Sequence, residues 1–188
     1  MNNQTVSNRI WLSVVGDNKI GKTEAIFHFL NNKPQKLYFS CDKIISLLDR
    51  KVLISILEPS INKYSVQFLM RLSNSAIIYF YDVANSNSFT KIKQIYSKFH
   101  NTNDPVPNRI EIIVGNTKSL ECHREISYDE AFTFAKTHNM NFFEISTLTG
   151  ENIFECFYSS IKQAMEHTIE TKKRLVDQNF EVQSKKSS

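Results

Sequence analysis

Short apolar runs of strand length alternate along this chain with longer segments that have helical spacing. Strands are predicted at residues 10–15, 37–40, 43–48, 52–57, 76–82, 110–114 and 141–145. Helices are predicted at residues 24–31, 62–73, 128–138 and 153–173, and around the apolar face Phe89, Ile92, Ile95, Tyr96 and Phe99. Asp49-Arg50 is predicted as a hairpin turn, and the chain from Arg174 onward, which loses the apolar periodicity, as a flexible segment. Strands that alternate with helices favour a doubly wound α/β fold.

Three stretches of the chain come directly after predicted strands. They are residues 16–23, Gly115 and Ser146. Ligands of doubly wound folds bind in the crevice outside the carboxyl ends of the strands. We therefore expect these stretches to converge on one crevice.

Residues 16–23 read Gly-Asp-Asn-Lys-Ile-Gly-Lys-Thr and match the pattern G-x-x-x-x-G-K-[ST]. Backbone N–H groups in such a turn, at the positive end of a helix dipole, make a concave site for anions. Lys22 brings a positive charge to the β- and γ-phosphates of a nucleotide, and the Thr23 hydroxyl is a hard oxygen ligand for Mg²⁺. A chance match is the alternative, but only four glycines occur in 188 residues and two occupy the required positions. The loop is predicted to bind phosphate.

Composition excludes several other classes of protein. A chain of 188 residues with 41% hydrophobic and 22% charged residues fits one globular domain. It has no run of 18 apolar residues and a polar start, so neither a membrane span nor a signal peptide is expected. Three widely spaced cysteines indicate reduced thiols in a cytosolic chain rather than a zinc site. The net charge of +4 lies partly at 172–174 and 185–186, which predicts a solvated tail rather than a nucleic-acid site.

Further motifs follow the phosphate-binding loop in a fixed order. They are Tyr81-Asp82-Val83 with Ser88-Phe89, Val114-Gly115-Asn116, Phe143-Glu144-Ile145-Ser146, and Thr149-Gly150-Glu151-Asn152. With them, about residues 8–168 resemble a small GTPase of the Ras superfamily, most similar to the Rab branch. The resemblance implies a G-domain at residues 8–170 with a six-stranded, mostly parallel sheet and about five helices, followed by a flexible basic tail at 171–188. It also implies bound GTP or GDP with Mg²⁺, and two switch loops that sense the γ-phosphate.

The nucleotide-binding residues carry over from the family by position. They are Asp17, Asn18, Lys19, Ile20, Gly21, Lys22, Thr23, Glu24, Asn116, Thr117, Ser119, Ser146, Thr147 and Leu148. The resemblance implies that Asn116 contacts the purine ring and that the Thr147 N–H reads its O6 atom. Ser119 replaces the carboxylate that accepts two hydrogen bonds from guanine, and Leu148 replaces a lysine. Since paired hydrogen bonds are lost, discrimination of guanine is expected to be weaker.

The second switch of the family aligns with residues 58–62. Glu58 is expected to reach Mg²⁺ together with Thr23. The catalytic residues implied are Lys22, which stabilises charge, and Asn62, which holds the attacking water but is shorter than the family's glutamine. Ile61 stands where the family has a glycine, and its branched side chain crowds the approach of the backbone N–H to the γ-phosphate.

The first switch departs from the family as well. No threonine lies between Thr23 and Glu58 to bind the metal ion, and Ser40 is the nearest hydroxyl. At the carboxyl end, residues 183–188 contain no cysteine that could carry a prenyl group. A cytoplasmic protein, recruited to membranes by a partner, is therefore expected.

Three functions remain open at this point. The first is a Rab-like guanine-nucleotide switch with slow GTP hydrolysis, acting in vesicle trafficking or signalling. The second is a pseudo-GTPase that acts through its surface. The third is an NTPase that accepts either purine. Effector or regulatory proteins are expected at residues about 33–75, and nucleic acid is not expected as a partner.

Overall fold

The computed structural model describes residues 8–31, 40–59, 69, 72, 75–101, 109–117 and 123–186, with side chains to residue 178. Six strands are described, namely β1 Asn8–Gly16, β2 Ser40–Leu47, β3 Arg50–Leu57, β4 Ser75–Asp82, β5 Ile110–Asn116 and β6 Asn141–Ile145. Four helices are described, namely α1 Lys22–Leu30, α2 Ser86–His100, α3 Tyr128–Thr137 and α4 Ile153–Lys186. The predicted helix at 62–73 lies outside the described residues, apart from Leu69 and Leu72.

The strands form one sheet in the order β2-β3-β1-β4-β5-β6. All neighbouring pairs are parallel except β2 and β3, which form an antiparallel hairpin. This confirms the predicted doubly wound α/β fold with a mostly parallel sheet. Strand β1 is central, so its carboxyl end, where the phosphate-binding loop begins, lies between β3 and β4.

Helices cover both faces of the sheet, which is why the central strands are apolar on both sides. One core cluster joins the sheet to α1 and α4, with Leu12, Phe29 and Phe157 among its buried members. The other joins the sheet to α2 and α3, with Tyr79 and Phe89 among its buried members. The two cores hold the helices that carry the candidate site in fixed positions.

The β2–β3 hairpin differs in detail from the prediction. One strand runs from Ser40 to Leu47, where the sequence predicted two strands, at 37–40 and 43–48, and residues 37–39 lie outside the described residues. The turn lies at Leu48-Asp49, one residue earlier than predicted. Both turn residues have positive φ, of 48° and 57°. Such angles are those of the tight turns that match the twist of a hairpin. Asp49-Arg50 was therefore wrong as the turn, because Arg50 already pairs with Leu47.

Helix α4 is longer than predicted. It continues to Lys186, so the expectation that regular structure ends near Lys173 is wrong. Among the side chains described, which end at residue 178, the last buried one is Thr168, and residues 172–178 are exposed. Helix propagation needs only one further backbone hydrogen bond per residue, so a helix can outrun its apolar face. Among the described residues, no helix has the length and apolar character required to cross a membrane.

Candidate functional site

The phosphate-binding loop joins β1 to α1 and has the conformation that its two glycines allow. A Cβ atom at Gly16 would lie 2.3 Å from the Phe80 carbonyl oxygen, on the neighbouring strand β4. Gly21 has a φ of 98° and forms the N-cap of α1. The left-handed residue between them is Lys19, with a φ of 61°, and Asn18 has no positive φ. A loop of this conformation before a helix N-terminus is the kind of site that binds anions, and within it the Asn18 N–H donates to Oδ1 of Asp17 at 2.8 Å.

Lys22 lies at the base of this loop and is only 5% exposed. Its ammonium group donates to the Asp17 carbonyl oxygen, and its Nζ lies 3.6 Å from Oε1 of Glu58. Burial lowers the pKa of Lys22, an effect that the Glu58 carboxylate opposes. The lysine therefore meets any ligand as a poorly hydrated cation already held in place.

Thr23 and Glu58, the two predicted metal ligands, lie together. The Thr23 hydroxyl donates to Oε2 of Glu58 at 2.7 Å. Thr23 is in the first turn of α1, and Glu58 directly follows β3. The parallel pairing of β1 and β3 brings the end of β3 beside the loop that follows β1. Among the described residues, no cluster of three or more histidine, cysteine or acidic side chains could hold a metal ion.

A cavity of about 210 Å³ opens beside the loop. It is lined by Gly16, Asp17, Asn18, Lys22, Glu58, Pro59 and Lys91. The loop residues and Glu58 were predicted, but Lys91 of α2 was missed. Its Nζ lies 2.7 Å from Oδ1 of Asp17, and this hydrogen bond is the main reason that the pKa of Asp17 is lowered. No sequence motif marks Lys91, because only the packing of α2 beside β1 brings it to the cavity.

Asn116 connects the phosphate-binding loop to the loop after β6. It is completely buried, and its Nδ2 donates to the Ile20 carbonyl oxygen at 2.8 Å and to the Thr147 hydroxyl at 3.0 Å. Its Oδ1 accepts from the Thr147 backbone N–H at 3.2 Å. The two groups expected to contact the purine, the Asn116 side-chain amide and the Thr147 N–H, are therefore hydrogen-bonded to each other. The three stretches that follow β1, β5 and β6 do converge, as predicted.

The remaining predicted residues near Asn116 have different surroundings. The backbone N–H and hydroxyl of Thr117 both donate to the Ile145 carbonyl oxygen, at 2.8 and 3.1 Å. Ser146 Oγ accepts from the Thr149 N–H at 3.2 Å, which shapes the loop after β6. Leu148 is 67% exposed. Its side chain is thus available at the surface rather than packed in the core.

Other predicted residues divide between core, surface and undescribed parts of the chain. Ile20 is buried in the core, whereas Lys19 and Glu24 are exposed beside the loop. Ser40 is exposed at the start of β2, paired in register with Leu57. Four predicted features lie outside the described residues: Asn62, Ser119, Ile61, and the portion of 33–75 that is not described.

His28 makes a contact that the sequence did not indicate. The sequence offered it no partner, yet its Nε2 lies 3.2 Å from the Thr147 carbonyl oxygen. The side chain of this residue therefore connects α1 to the loop after β6, in addition to the contact that Asn116 makes between that loop and the phosphate-binding loop. Because the partner is 119 positions away, sequence spacing gave no signal of it.

Comparison with known proteins agrees with this architecture. The model of the Ras family matches residues 12–166. Ras-related protein RABC2b of Arabidopsis thaliana is 27% identical over 163 residues, covering 81% of this chain and 78% of that protein. Ras-related protein Rab-4 of Dictyostelium discoideum is 26% identical over 161 residues, covering 81% and 77%. Ras-related protein rab-39 of Caenorhabditis elegans is 28% identical over 103 residues, but the alignment spans only 45% of that relative.

Proposed function

This chain belongs to the Ras family, and from that premise we propose that it is a Rab-like switch protein. It binds GTP or GDP with Mg²⁺ and hydrolyses GTP slowly or not at all. The observation that carries the proposal is the phosphate cradle, in which a buried lysine and a hydroxyl–carboxylate pair line one side of a loop of backbone N–H groups. Lys22 is 5% exposed, and Thr23 Oγ1 lies 2.7 Å from Glu58 Oε2.

The side chains at this position fit a magnesium ion. Mg²⁺ takes one or two protein oxygens and completes its octahedral shell with water and substrate phosphates. The Thr23 hydroxyl and the Glu58 carboxylate are hard oxygen donors within hydrogen-bond distance of each other. When bound, the ion would neutralise charge on the phosphates. Thr23 and Glu58 are the residues that would hold it, Glu58 through a water.

Binding of the nucleotide follows from the residues of the loop. The backbone N–H groups of residues 18–23 would surround the phosphates, and Lys22 would bind their β- and γ-oxygens. Charge-assisted hydrogen bonds of this kind are stronger than neutral ones. Since Lys22 is only 5% exposed, its bond to an anion replaces few contacts with water.

Slow hydrolysis is proposed from the residues that follow β3. Asn62 would orient the attacking water with an amide one carbon shorter than glutamine, and the branched side chain of Ile61 would crowd the approach of its backbone N–H to the γ-phosphate. An Ile61→Gly variant is therefore expected to gain response to the γ-phosphate. Unchanged GTP and GDP affinities and turnover in that variant would show that this account of the second switch is wrong.

Recognition of the base is proposed to favour guanine only weakly. Asn116 keeps the loops after β1 and β6 together, and the Ser119 hydroxyl would replace a carboxylate acceptor with a single oxygen. An NTPase that accepts either purine is therefore the variant of this proposal to test, by comparing GTP with ATP.

Protein partners are proposed at residues about 33–75. Strand β2 supports this, because it is the edge strand of the sheet and alternate side chains along it are exposed. Ile44, at 56% exposure, is the apolar member of that exposed face. A role in vesicle trafficking or signalling, with recruitment to membranes by such a partner from the cytoplasm, is part of the same proposal.

A pseudo-GTPase that acts through its surface is the second candidate function. The observation that favours it is the compensation of Lys22 within the chain, by the Asp17 carbonyl oxygen and by Glu58 at 3.6 Å. A cradle whose cation already has partners can keep its shape without a nucleotide. The sequence departures at Ile61 and Ser119 point the same way.

One experiment separates these functions. Protein purified from cells is extracted with acid, the nucleotide is identified by chromatography, and binding of GTP, GDP and ATP is then titrated with Mg²⁺. The switch predicts extracted GDP or GTP, slow loss of added GTP, and abolished binding in Lys22→Ala. The matched control is Lys162→Ala, which removes a surface lysine paired with Glu166 on α4. An empty protein that ignores all three nucleotides would leave only the pseudo-GTPase.

A further inference from the structure

Lys91 occupies a fixed position in the second turn of α2. That helix is capped by Asn85, whose side chain accepts from the Ser88 N–H. Phe89 and Ile92, on either side of Lys91, are 1% and 0% exposed. Because these neighbours anchor the helix in the core, the Cα atom of Lys91 has a defined place beside the phosphate-binding loop.

The end of the Lys91 side chain has more freedom than its backbone. Its side chain is 50% exposed, and its Nζ pairs with Oδ1 of Asp17 at 2.7 Å. A lysine ammonium is a point charge on a flexible four-carbon stem with three donors. It can therefore exchange one oxygen acceptor for another at similar distance without movement of the helix.

The charges around the cavity are balanced as they stand. Two cations, Lys22 and Lys91, and two carboxylates, Asp17 and Glu58, line it. Lys22 faces Glu58, and Lys91 faces Asp17. A nucleotide polyphosphate would add several negative charges. A Mg²⁺ ion at Thr23 and Glu58 would neutralise part of this charge, and the buried Lys22 would meet the rest while it also faces Glu58, so a further cation at the cavity has phosphate oxygens to bind.

We propose that Lys91 is a second phosphate-binding lysine, supplied by α2. It pairs with Asp17 when no nucleotide is present, and its ammonium group moves from Asp17 to the polyphosphate when a nucleotide binds. This inference rests on the proposed function and deepens it. It assigns to the nucleotide site a residue from a helix that the phosphate-binding motif does not include. Asp17 then has a defined role as the carboxylate that holds Lys91 at the edge of the cavity.

A purely structural role for Lys91 makes a different prediction. If Lys91 only neutralises Asp17, its removal weakens nucleotide binding by leaving a carboxylate without its partner beside the phosphates. That effect disappears once Asp17 is replaced by asparagine. Direct contact with phosphate, in contrast, persists in the Asp17→Asn background.

The test is a double-mutant cycle on the full chain. Affinities for GDP and for a non-hydrolysable GTP analogue with Mg²⁺ are measured for wild type, Lys91→Gln, Asp17→Asn and the double variant. Because a hydrogen bond to a charged group is lost, we expect Lys91→Gln to weaken binding of the triphosphate roughly tenfold in both backgrounds. Lys93→Gln is the matched control, because Lys93 lies on the same helix but pairs with Glu130 at 3.2 Å, outside the cavity lining.

Each outcome has one meaning for the proposal. Loss of triphosphate affinity in both backgrounds, with Lys93→Gln unchanged, supports the assignment. Equal affinities of Asp17→Asn and the double variant overturn it, and so does an equal loss in Lys93→Gln. If wild type binds nucleotide and Lys22→Ala does not, these results overturn only the role of Lys91. If wild type binds neither nucleotide, the proposed function and this inference fail together.

Discussion

Gly21 lies close both to Asn116, at the end of β5, and to Thr147, in the loop after β6. A Cβ atom there would lie 2.4 Å from Nδ2 of Asn116 and 3.0 Å from Oγ1 of Thr147. Its φ of 98° is also rarely adopted by residues that have a side chain. Glycine is therefore required by the contact between loops as well as by the turn itself.

Replacement of Gly21 by alanine is expected to lower the free energy of unfolding by about 2–4 kcal/mol, because backbone strain adds to displacement of Asn116. Gly150→Ala is the matched control, since Gly150 also has a positive φ, of 83°, but its Cβ would meet His28 only at 3.4 Å. Strain alone predicts a cost of about 1–2 kcal/mol there. Denaturant unfolding of both variants measures the difference, and equal losses would show that the Asn116 contact is unimportant.

The ion pair of Asp17 with Lys91 should make stability depend on acid pH. The hydrogen bond from Lys91 holds the pKa of Asp17 below its ordinary value of 3.8. A carboxyl group with a lowered pKa in the folded state contributes stability above the unfolded pKa, and that contribution is lost as pH falls through the folded value. Wild type should therefore be more stable than Lys91→Gln near neutral pH, and the difference should shrink below about pH 4.

Urea unfolding of both proteins between pH 2 and 7 measures this difference. In the Asp17→Asn background, the effect of Lys91→Gln should not change with acid pH, because the titrating group is gone. A difference between wild type and Lys91→Gln that stays constant across this range would contradict the role given to the pair.

At the scale of elements, α4 combines a first half that packs into the core with exposed side chains at residues 172–178. Of its side chains described, Ala164, Met165 and Thr168 are the last that are buried, with 2%, 0% and 3% exposure. Beyond them, ion pairs such as Arg174 with Glu170 lie on the surface, where an i,i+4 pair adds only a few tenths of a kcal/mol. The exposed half of the helix therefore adds little to the stability of the fold.

Deletion of residues 174–188 is expected to change the free energy of unfolding by less than about 0.5 kcal/mol, because it removes no described side chain that is buried. Deletion of residues 164–188 should cost more than about 3 kcal/mol, since it removes Met165 and its neighbours from the core. Thermal unfolding of the two shortened chains tests this contrast. A large loss in the shorter deletion would place a packed surface beyond Arg174.

Across the whole molecule, Asn116 joins segments that are far apart in the sequence. Its bond to the Ile20 carbonyl spans 96 positions, and its bonds to Thr147 span 31. The phosphate-binding loop, the end of β5 and the loop after β6 are thereby held as one unit. The contacts of Asn116 support both the candidate site and the fold, so their loss should lower both nucleotide affinity and the free energy of unfolding.

Asn116→Ala should lower the free energy of unfolding by roughly 3 kcal/mol, because it leaves the buried Ile20 carbonyl and the Thr147 N–H without this partner. It should also weaken nucleotide binding by loosening the loop. Asn141→Ala is the control, since Asn141 is an exposed asparagine whose side-chain amide donates to the half-buried Gln163. Its expected loss is below about 0.5 kcal/mol. Similar losses of unfolding free energy in both variants would argue against a role of Asn116 in holding these segments together.

The sequence alone determined the α/β alternation, the strand before the phosphate-binding loop, and the family motifs, because these are recorded in periodicity and in short-range spacing, whereas the central place of that strand depends on the strand order. The prediction was less accurate at the hairpin, where the turn at Leu48-Asp49 has no marked turn sequence. It failed beyond Arg174, where a helix continues without an apolar face.

The tertiary structure alone decided which distant side chains meet. Lys91 reaches Asp17 across 74 positions, and Asn116 reaches Ile20 across 96. Such contacts depend on how strands are ordered in the sheet and on how each helix packs against it. The phosphate-binding motif thus consists of eight consecutive residues, whereas the contacts that Lys91 and Asn116 make with the loop exist only through the fold.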